Sequence, residues 1–426
     1  MKKSKYLVPL ALIFSLFFLW AISSNLLPTM IRQLMKMFDL SPFLGSLTES
    51  SYWIAYFIFP IPIAMFMKRY SYKAGVIFGL LVAAAGGLLF FPAVAIQQYW
   101  AYLTVFFIIA TGMCFLETAA NPYVTVLGDP ETAPHRLNLA QSFNGLGAFI
   151  AGMFLSKLVL SNDSYTRDTI PADYPGGWEG FLTVESDSMK LPYLILAGVL
   201  ILIAVVFVFS HLPKMKEGEH LEGEATGEKL IDFSVFKRAH LRRGVIAQFF
   251  YNGGQTAINA MFLVYACSYV GLKEKEVVEL SSLSATTWFG IYLGAFLLGR
   301  WVGTLLMGKF KPQNMLVVYS IINVALCVLI ICAGGMTGLY AMVGVSFFMS
   351  IMYPTQFSLA LNNLGAKTKS GSAFLVMAIV GNVFLPPLTG HLLKSFGDFY
   401  HIAYIIPLVC FIVCGYYGWK GYKVVD

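Results

Sequence analysis

The sequence predicts an all-α membrane protein with twelve transmembrane helices in two six-helix bundles. Hydrophobic residues make up 58% of the 426 residues and charged residues only 12%. A soluble domain is about 45–50% apolar and about 25% charged, so this composition is typical of a membrane protein. Twelve apolar runs are long enough to cross a bilayer, and a charged stretch separates the first six from the last six.

The twelve runs follow one another along the chain, and each approaches the roughly 20 residues that a membrane-spanning helix needs. In the first half they are residues 6–30, 46–67, 74–95, 100–127, 137–160 and 191–211. In the second half they are residues 244–270, 284–307, 314–332, 335–362, 370–393 and 402–422. Three lysines precede the first run, as in a signal peptide, but the run continues without a small-residue cleavage site, which favours an uncleaved helix.

The charged stretch "HLPKMKEGEHLEGEATGEKLIDFSVFKRAHLRRG" is rich in Glu, Gly and Lys, a composition typical of a water-exposed linker. It divides the chain into an N-terminal six-helix bundle at residues 1–212, a cytoplasmic linker at 213–240 and a C-terminal six-helix bundle at 241–426. A second polar insertion, residues 161–190, follows the fifth run, and we expect it to form an external loop.

The basic residues predict the orientation in the membrane. If both termini and the linker are cytoplasmic, 21 of the 29 lysines and arginines fall on the cytoplasmic side and 8 on the outside. This asymmetry follows the positive-inside rule, and the opposite orientation would violate the rule at nearly every loop. The net charge of +7 therefore reflects orientation in a lipid bilayer rather than a nucleic-acid partner.

Acidic residues are almost confined to loops, the linker and the chain ends. Only two glutamates are predicted to lie within apolar runs, Glu49 in the second run and Glu117 in "GMCFLETAANPYVTVLG" of the fourth. A charged group at a helix centre costs roughly 2.5–3.5 kcal/mol on insertion scales, so such residues usually face a cavity. A carboxylate in a cavity that opens alternately to two sides can bind and release a cation. The alternative is that each glutamate is only hydrogen-bonded within its bundle.

Amide side chains recur at helical spacing in several runs. Asn121 follows Glu117 by four positions, and residues four apart share a helix face. A single amide usually holds two membrane helices together, but repeated amides in both halves favour a polar central cavity because lipid cannot satisfy them. The candidate cavity residues are Asn25, Glu117, Asn121, Gln141, Asn144, Tyr251, Asn252, Gln255, Asn259, Tyr353, Gln356 and Asn382.

The chemistry of this cavity suits a neutral, polyhydroxylated substrate such as a monosaccharide. Amides both donate and accept hydrogen bonds, as sugar hydroxyls do, and aromatic rings can pack against sugar C–H groups. No lysine or arginine is predicted near mid-membrane, which disfavours an anionic substrate. Arg300, at the cytoplasmic end of the eighth run, and Arg136, in a loop, are expected to act as conformational latches or topology signals.

The sequence lacks the motifs that identify other classes of protein. No Walker loop, Rossmann fingerprint, metal-ligand spacing or nucleophile elbow occurs, so we predict no enzyme activity, no catalytic residues, no metal and no cofactor other than a coupling ion. An exporter of another neutral solute on the same fold is an alternative, although exporters tend toward apolar cavities. A non-transporting sugar sensor would be expected to carry a larger cytoplasmic domain than this linker.

Five stretches carry a family resemblance: "FFLWAISSNL", "IPIAMFMKRYSYKAG", "FLETAANPYVTVLG", "RLNLAQSFNGLGA" and "YPTQFSLALNNLG". They closely resemble the fucose permease group, the fucose–galactose–glucose:proton symporter family of the major facilitator superfamily, over residues 16–382. The resemblance implies a major facilitator fold and hexose uptake across a bacterial inner membrane by alternating access, driven by a proton gradient. We expect the protein to work as a monomer.

The resemblance also implies roles for particular residues. The family's central glutamate, which serves sugar recognition and coupling, falls on Glu117, and its asparagine falls on Asn121. The family's amides on the fifth helix fall on Gln141 and Asn144, and its tyrosine and glutamine on the seventh helix fall on Tyr251 and Gln255.

One departure from the family pattern bears on the coupling ion. The family's first helix carries an aspartate that takes part in proton coupling, and the register places Pro28 there instead. Glu49 stands on the second helix, where a neutral residue is expected. We hypothesise that the second carboxylate has moved from helix one to helix two. The alternatives are coupling through Glu117 alone, and sodium in place of the proton.

Overall fold

The structure is a computed structural model, and it describes residues 7–38, 40, 42–126, 130–151, 155, 165, 167–210, 232–272 and 285–424. The chain divides into two compact units. The first comprises Met1–Ala120 and Ile150–Pro213, and the second comprises Asn121–Phe149 and Lys214–Asp426. The segment Asn121–Phe149 therefore packs with the C-terminal half of the chain.

In the described residues, each run predicted in the first half coincides with a helix or with a pair of helices. Residues 152–154 and 156–160 of the fifth run and residues 213–231 of the predicted linker lie outside the described residues. The bounds are α1 Leu7–Met37, α2 Pro42–Ile58, α3 Pro60–Tyr70, α4 Tyr72–Leu88, α5 Phe90–Ile96, α6 Tyr99–Val126, α7 Ala133–Ile150 and α8 Gly177–Phe209. The second run bends by 42° between α2 and α3. Pro60 starts α3 at the bend, a position where the missing N–H of proline costs no helical hydrogen bond.

The runs of the second half are helical as well. The bounds are α9 Ala239–Val264, α10 Ala285–Leu306, α11 Pro312–Ala333, α12 Gly335–Met349, α13 Met352–Leu361, α14 Thr368–Met377, α15 Gly381–Ser395 and α16 Ile405–Tyr416. The tenth run is thus broken between α12 and α13, and the eleventh between α14 and α15. A π turn at Tyr265–Tyr269 continues α9.

Most of the predicted runs are long and apolar in the structure as well. In the described part of the chain, eight segments are long and apolar enough to cross a membrane, or nine if the bent α2–α3 pair counts as one. The first run, on α1, is a shorter apolar stretch at Ala11–Leu27 in the described residues. The fifth and seventh runs correspond to α7 and α9, and both carry amide side chains, which lower the hydropathy of a helix.

Close packing in the second unit depends on glycine where α9 crosses α15. A methyl group at Gly381 would lie 2.1 Å from the carbonyl oxygen of Phe249, and one at Gly253 would lie 2.8 Å from the carbonyl oxygen of Gly381. No side chain fits at either distance. Small residues let membrane helices approach each other closely, and here they bring the amide-bearing helix α9 against α15.

Two sequence-based expectations are wrong at the start of α8 and α7. The polar insertion 161–190 is helical from Gly177 onward, because Phe181, Glu185 and Met189 recur every four positions on one buried face. Glu185 is 0% exposed, so Glu49 and Glu117 are not the only acids removed from solvent. Arg136 lies within α7 rather than in a loop.

Arg136 fixes the end of α6, the helix that carries Glu117. Its Nε donates to the carbonyl of Val124 at 3.2 Å, and its Nη2 donates to the carbonyl of Thr125 at 2.8 Å. The last carbonyls of a helix have no partner within the helix, and a cation near them also opposes the helix dipole favourably. Arg136 is therefore a helix cap in this structure.

The end of the predicted linker is docked on the loop that precedes α14. The Asp232 carboxylate accepts from the Ser234 N–H at 2.8 Å and lies 3.0 Å from the Lys367 ammonium. The Lys367 ammonium also donates to the Ser234 hydroxyl at 2.7 Å. The hydrogen bonds from Ser234 and Lys367 lower the pKa of Asp232 from an ordinary 3.8 to about 2.

Replacing Asp232 with Asn should reduce thermal stability slightly, by less than about 1 kcal/mol, because the ion pair is partly exposed. The folded-state pKa of Asp232 is depressed, so the contribution of its carboxylate is complete above about pH 4 and is lost as the pH falls toward 2. The measurement is the melting temperature of detergent-solubilised wild type and variant between pH 3 and pH 8.

Lys367→Gln is the matched control, since it removes the other half of the pair. The double variant should lose less melting temperature than the sum of the two single losses, because both changes break the same ion pair. A difference between wild type and Asp232→Asn that grows as the pH falls would contradict the assignment.

Candidate functional site

Glu117 lies in a small pocket of the first unit. It is 4% exposed and occupies the middle of α6, which runs from Tyr99 to Val126. The pocket is lined by Leu16, Phe17, Trp20, Leu116, Glu117 and Ala120. The lining from α1 is apolar and aromatic, and Glu117 borders the pocket from α6.

Aromatic side chains from α1 and α2 surround this carboxylate. The Trp20 indole N–H donates to the Tyr56 hydroxyl at 2.6 Å, and the rings of Tyr52 and Tyr56 stack at 6.1 Å between centroids. Glu117 is close enough to Tyr52 and Tyr56 to interact with both hydroxyls electrostatically. A carboxylate beside aromatic rings can bind a hydroxyl group while the rings contact the C–H face of the same ligand.

The other candidates of the first unit lie outside this pocket lining. Glu49 is half-buried on α2, beside the Trp53 indole. Asn25 is half-buried on α1 and uses its amide locally, donating to the Ala21 carbonyl at 2.9 Å and to the Ser24 hydroxyl at 3.3 Å. Pro28, which stands where the family pattern has an aspartate, lies inside the continuous helix α1.

The second unit contains a cluster of amides around Tyr353. Asn121, one helical turn after Glu117 on α6, donates from its amide to the Tyr353 hydroxyl at 3.4 Å. The Gln141 amide of α7 donates to the Asn121 side-chain oxygen at 3.4 Å. All three side chains are buried. The structure therefore brings together three of the residues that sequence reasoning placed in one cavity.

Arg300 connects this cluster to Asn144. Its Nη1 donates to the Gln141 carbonyl at 2.6 Å, and the Gln141 and Asn144 side-chain oxygens lie 3.4 and 3.5 Å from the same nitrogen. Its Nε donates to the Ser350 carbonyl at 2.8 Å. Arg300 was not among the predicted site residues, because its place toward the end of the eighth run suggested the cytoplasmic surface. The buried guanidinium, 3% exposed, instead contacts two of the predicted amides.

The break between α12 and α13 explains several of these polar contacts. Proline has no N–H, so Pro354 leaves the carbonyl of Ser350, four residues earlier, without its helical donor. Arg300 donates to that carbonyl. The neighbouring carbonyl of Met349, at the end of α12, accepts from the Tyr251 hydroxyl at 2.9 Å. The Tyr353 carbonyl, inside α13, accepts an additional hydrogen bond from the Gln248 amide at 2.9 Å.

A fourth polar side chain supports the same break from α11. The Asn323 amide, in the orientation that satisfies both of its polar atoms, donates to the Val345 carbonyl at 3.3 Å and accepts from the Met349 N–H at 3.2 Å. Membrane helices tolerate such breaks only where neighbouring side chains satisfy the released groups. Here three helices, α9, α10 and α11, supply those side chains.

The amide stripe of α9, formed by Gln248, Asn252, Gln255 and Asn259 at spacings of three and four residues, is used partly by the protein itself. Asn252 donates to the Gln248 carbonyl at 2.7 Å and to its side-chain oxygen at 3.1 Å. Asn259 accepts from the Tyr292 hydroxyl, whereas Gln255 is half-buried. These contacts position the stripe, and they leave fewer free polar groups than the sequence suggests.

Two further candidates are buried elsewhere in the second unit. Gln356 is 0% exposed and lies beside the Cys414 thiol, and Asn382 is 5% exposed near the start of α15. In the described part of the chain, neither hydrogen-bonds to the cluster of Asn121, Gln141 and Tyr353. The spacing of residues along α13 shows that Gln356 and Tyr353 are one turn apart, but it does not show which neighbour each one meets.

Comparison with known proteins identifies the fold and the family. The Major Facilitator Superfamily model matches residues 11–380. The chain belongs to the major facilitator superfamily. It is 38% identical over 410 residues to the L-fucose-proton symporter of Escherichia coli K12, covering 96% of this chain and 92% of that protein. A glucose/galactose transporter of Brucella abortus is 33% identical over 408 residues, with the same coverage of 96% and 92%.

A solved structure agrees with the sequence relatives. The crystal structure of FucP, a transporter of the superfamily in the outward conformation, matches with a TM-score of 0.84 and 37% identity. The match covers 99% of this chain and 100% of that chain. The predicted major facilitator fold and the family resemblance are thus confirmed, and the chain is a multi-pass membrane transporter of this superfamily.

Tyr251→Phe should destabilise the transporter because it removes the hydroxyl that satisfies the Met349 carbonyl at the break. An unsatisfied buried polar group costs about 1–3 kcal/mol, which lowers the melting temperature measurably. The measurement is thermal unfolding in detergent without any ligand. Tyr417→Phe is the matched control, since the buried Tyr417 hydroxyl has no hydrogen-bond partner among the described residues. Equal melting temperatures for the two variants would show that the break does not need the Tyr251 hydroxyl.

Proposed function

We propose that this chain is a monosaccharide:proton symporter that takes up fucose-, galactose- or glucose-type hexoses by alternating access. Two relatives that it matches over nearly their whole length carry the names L-fucose-proton symporter and glucose/galactose transporter. The observation that carries the proposal is the polar surface of α6. This one helix presents Glu117 in an aromatic pocket and Asn121 in an amide cluster one turn further on.

The lengths of the hydrogen bonds support a division between framework groups and the groups proposed to bind sugar. Contacts to backbone carbonyls are short, as from Arg300 to Gln141 at 2.6 Å and to Ser350 at 2.8 Å. Two contacts among the side chains of the cluster are long, at 3.4 Å between Asn121 and Tyr353 and between Gln141 and Asn121. Bonds near 3.4 Å are weak, so sugar hydroxyls replace them at little cost while the short bonds keep the framework.

The roles of the candidate residues follow from their chemistry. In this proposal Glu117 accepts a hydrogen bond from a sugar hydroxyl and takes up the coupled proton, and the aromatic rings beside it pack against the sugar. The amides donate and accept toward the remaining hydroxyls. The proposed binding residues are Asn25, Glu117, Asn121, Gln141, Asn144, Tyr251, Asn252, Gln255, Asn259, Tyr353, Gln356 and Asn382.

The coupling ion is proposed to be the proton, with Glu117 and Glu49 as the carboxylates. Both lie on helices of the first unit, and Glu49 replaces the acidic function that Pro28 cannot provide on α1. Sodium is the second candidate, because a carboxylate with neighbouring hydroxyls is also an oxygen-rich site for a hard cation. Export of another neutral solute by a transporter of the same fold is the less favoured alternative.

The remaining parts of the proposal concern setting and assembly. We place the protein in a bacterial inner membrane, with both termini and the linker 213–240 on the cytoplasmic side, as the distribution of basic residues favours. The two proposed bundles are the sequence halves 1–212 and 241–426, although the segment Asn121–Phe149 of the first half packs in the second compact unit. The protein works as a monomer on a neutral sugar, without nucleic acid, metal, cofactor or enzymatic step.

Glu117→Gln should abolish accumulation of sugar against a gradient while sugar exchange between equal concentrations continues. Glutamine keeps the shape and hydrogen-bonding capacity of the side chain, but it cannot bind and release a proton. The measurement is uptake and counterflow of labelled fucose, galactose and glucose in proteoliposomes. Glu179→Gln, at an exposed position on α8, is the control and should leave both activities unchanged. Accumulation by Glu117→Gln at the wild-type level would refute the role of Glu117.

Glu49→Gln tests whether a second carboxylate contributes to coupling. We expect a lower accumulation ratio than in wild type, because fewer protons are moved for each sugar. An imposed pH gradient should drive uptake, and the measurement is initial uptake with either a pH gradient or a sodium gradient. Uptake driven by a sodium gradient alone would show that sodium, and not the proton, is the coupling ion. Unchanged accumulation by Glu49→Gln would leave Glu117 as the sole coupling carboxylate.

A further inference from the structure

Arg300 is a buried cation whose partners are neutral. In the part of the chain that the structure describes, these partners are two backbone carbonyls, two side-chain amide oxygens and the ring of Phe296, 4.4 Å from the guanidinium carbon. No described carboxylate forms an ion pair with it. Burying a cation without a counter-charge is costly, so the stability of the fold does not by itself explain an arginine at this position.

The geometry of the guanidinium suggests what the arginine does. Its two short hydrogen bonds point to different helices, from Nε to Ser350 at the break after α12 and from Nη1 to Gln141 on α7. A guanidinium is a planar fork with donors in fixed directions, whereas a lysine ammonium is a single point. Arg300 therefore fixes the spacing between α7 and the broken tenth run.

The same guanidinium orients the side chains that are proposed to bind sugar. The oxygens of Gln141 and Asn144 both face Nη1, at 3.4 and 3.5 Å. With its oxygen turned toward Arg300, the Gln141 amide presents its N–H to Asn121. An amide without this partner could rotate by half a turn and exchange its donor for its acceptor.

We propose that Arg300 is a positioning residue for sugar binding, acting through Gln141 and Asn144 and tied to the carbonyl that Pro354 leaves without a helical donor. The inference rests on the sugar symport proposed above. It assigns Arg300 no contact with the sugar itself. The residue instead makes the amide surface of α7 and the break after α12 behave as one rigid part of the binding site.

Three variants separate the positioning role from a role in stability. Arg300→Gln removes the fork and the charge, and Arg300→Lys keeps the charge but not the fork. Pro354→Ala provides an N–H for the Ser350 carbonyl, so it relieves the one contact of Arg300 that serves the helix break alone. We therefore combine Pro354→Ala with each change at Arg300, and Lys309→Gln, an exposed charge near the end of α10, is the matched control.

The measurements are sugar dissociation constants by calorimetry, KM and maximal rate of uptake, and melting temperature without sugar. Arg300→Gln and Arg300→Lys should both weaken sugar binding about tenfold to a hundredfold, the loss expected for hydrogen bonds to a charged group. KM should rise more than the maximal rate falls. Adding Pro354→Ala should recover melting temperature but not sugar affinity, and Lys309→Gln should resemble wild type.

Each alternative result has a definite meaning. Recovery of affinity together with stability in the Pro354→Ala background would reduce Arg300 to a structural residue and overturn the inference. Wild-type affinity in Arg300→Lys would overturn the role of the fork. If wild type binds sugar and the Arg300 variants bind equally well, the inference fails alone. If wild type binds none of the hexoses, the proposed function fails and the inference falls with it.

Discussion

The break in the tenth predicted run places a demand on the whole second unit, because a backbone carbonyl inside a membrane protein needs a hydrogen-bond donor. Pro354 removes the helical donor of Ser350, and the neighbouring carbonyls of Met349 and Tyr353 also accept from side chains. Arg300, Tyr251 and Gln248 provide those donors from α10 and α9. An unsatisfied carbonyl in a water-free interior costs several kcal/mol. The polar residues near the site are thus determined first by the backbone and only then by a ligand.

This demand divides the polar groups into a fixed set and an exchangeable set. The short bonds, 2.6–2.9 Å, run from side chains to backbone carbonyls and hold the helices in place. The long bonds, at 3.4 Å, join Asn121 to Tyr353 and to Gln141. In the proposed binding site the short bonds form the framework, and the long bonds join the amides that are proposed to turn to a hydroxyl group. The combination agrees with a transporter, which must release its substrate as readily as it binds it.

The acidic residues show how far sequence reasoning reaches. Glu117 is conspicuous because it interrupts an apolar run, and the structure places it in an aromatic pocket. Glu185 was missed, since its surroundings "VESDSMK" look like an external loop. Only the spacing of Phe181, Glu185 and Met189 reveals that one face of this segment is buried. Hydropathy averages over all faces of a helix, so a single buried polar face at the end of a span is easily hidden in it.

The sequence by itself determined the fold class, the helical runs, the family and the place of Glu117 within an apolar helix. These properties depend on local composition and spacing, which can be read directly from the amino-acid sequence. Tertiary structure alone decided which amides bond to the backbone of another helix, as with Gln248, and which meet polar side chains across helices, as with Asn121, Gln141 and Tyr353. It also drew Arg300 into the cluster. The physical reason is that these hydrogen-bond partners lie on helices far apart in the chain. Which of them meet depends on how closely the helices pack, at positions such as Gly381 and Gly253.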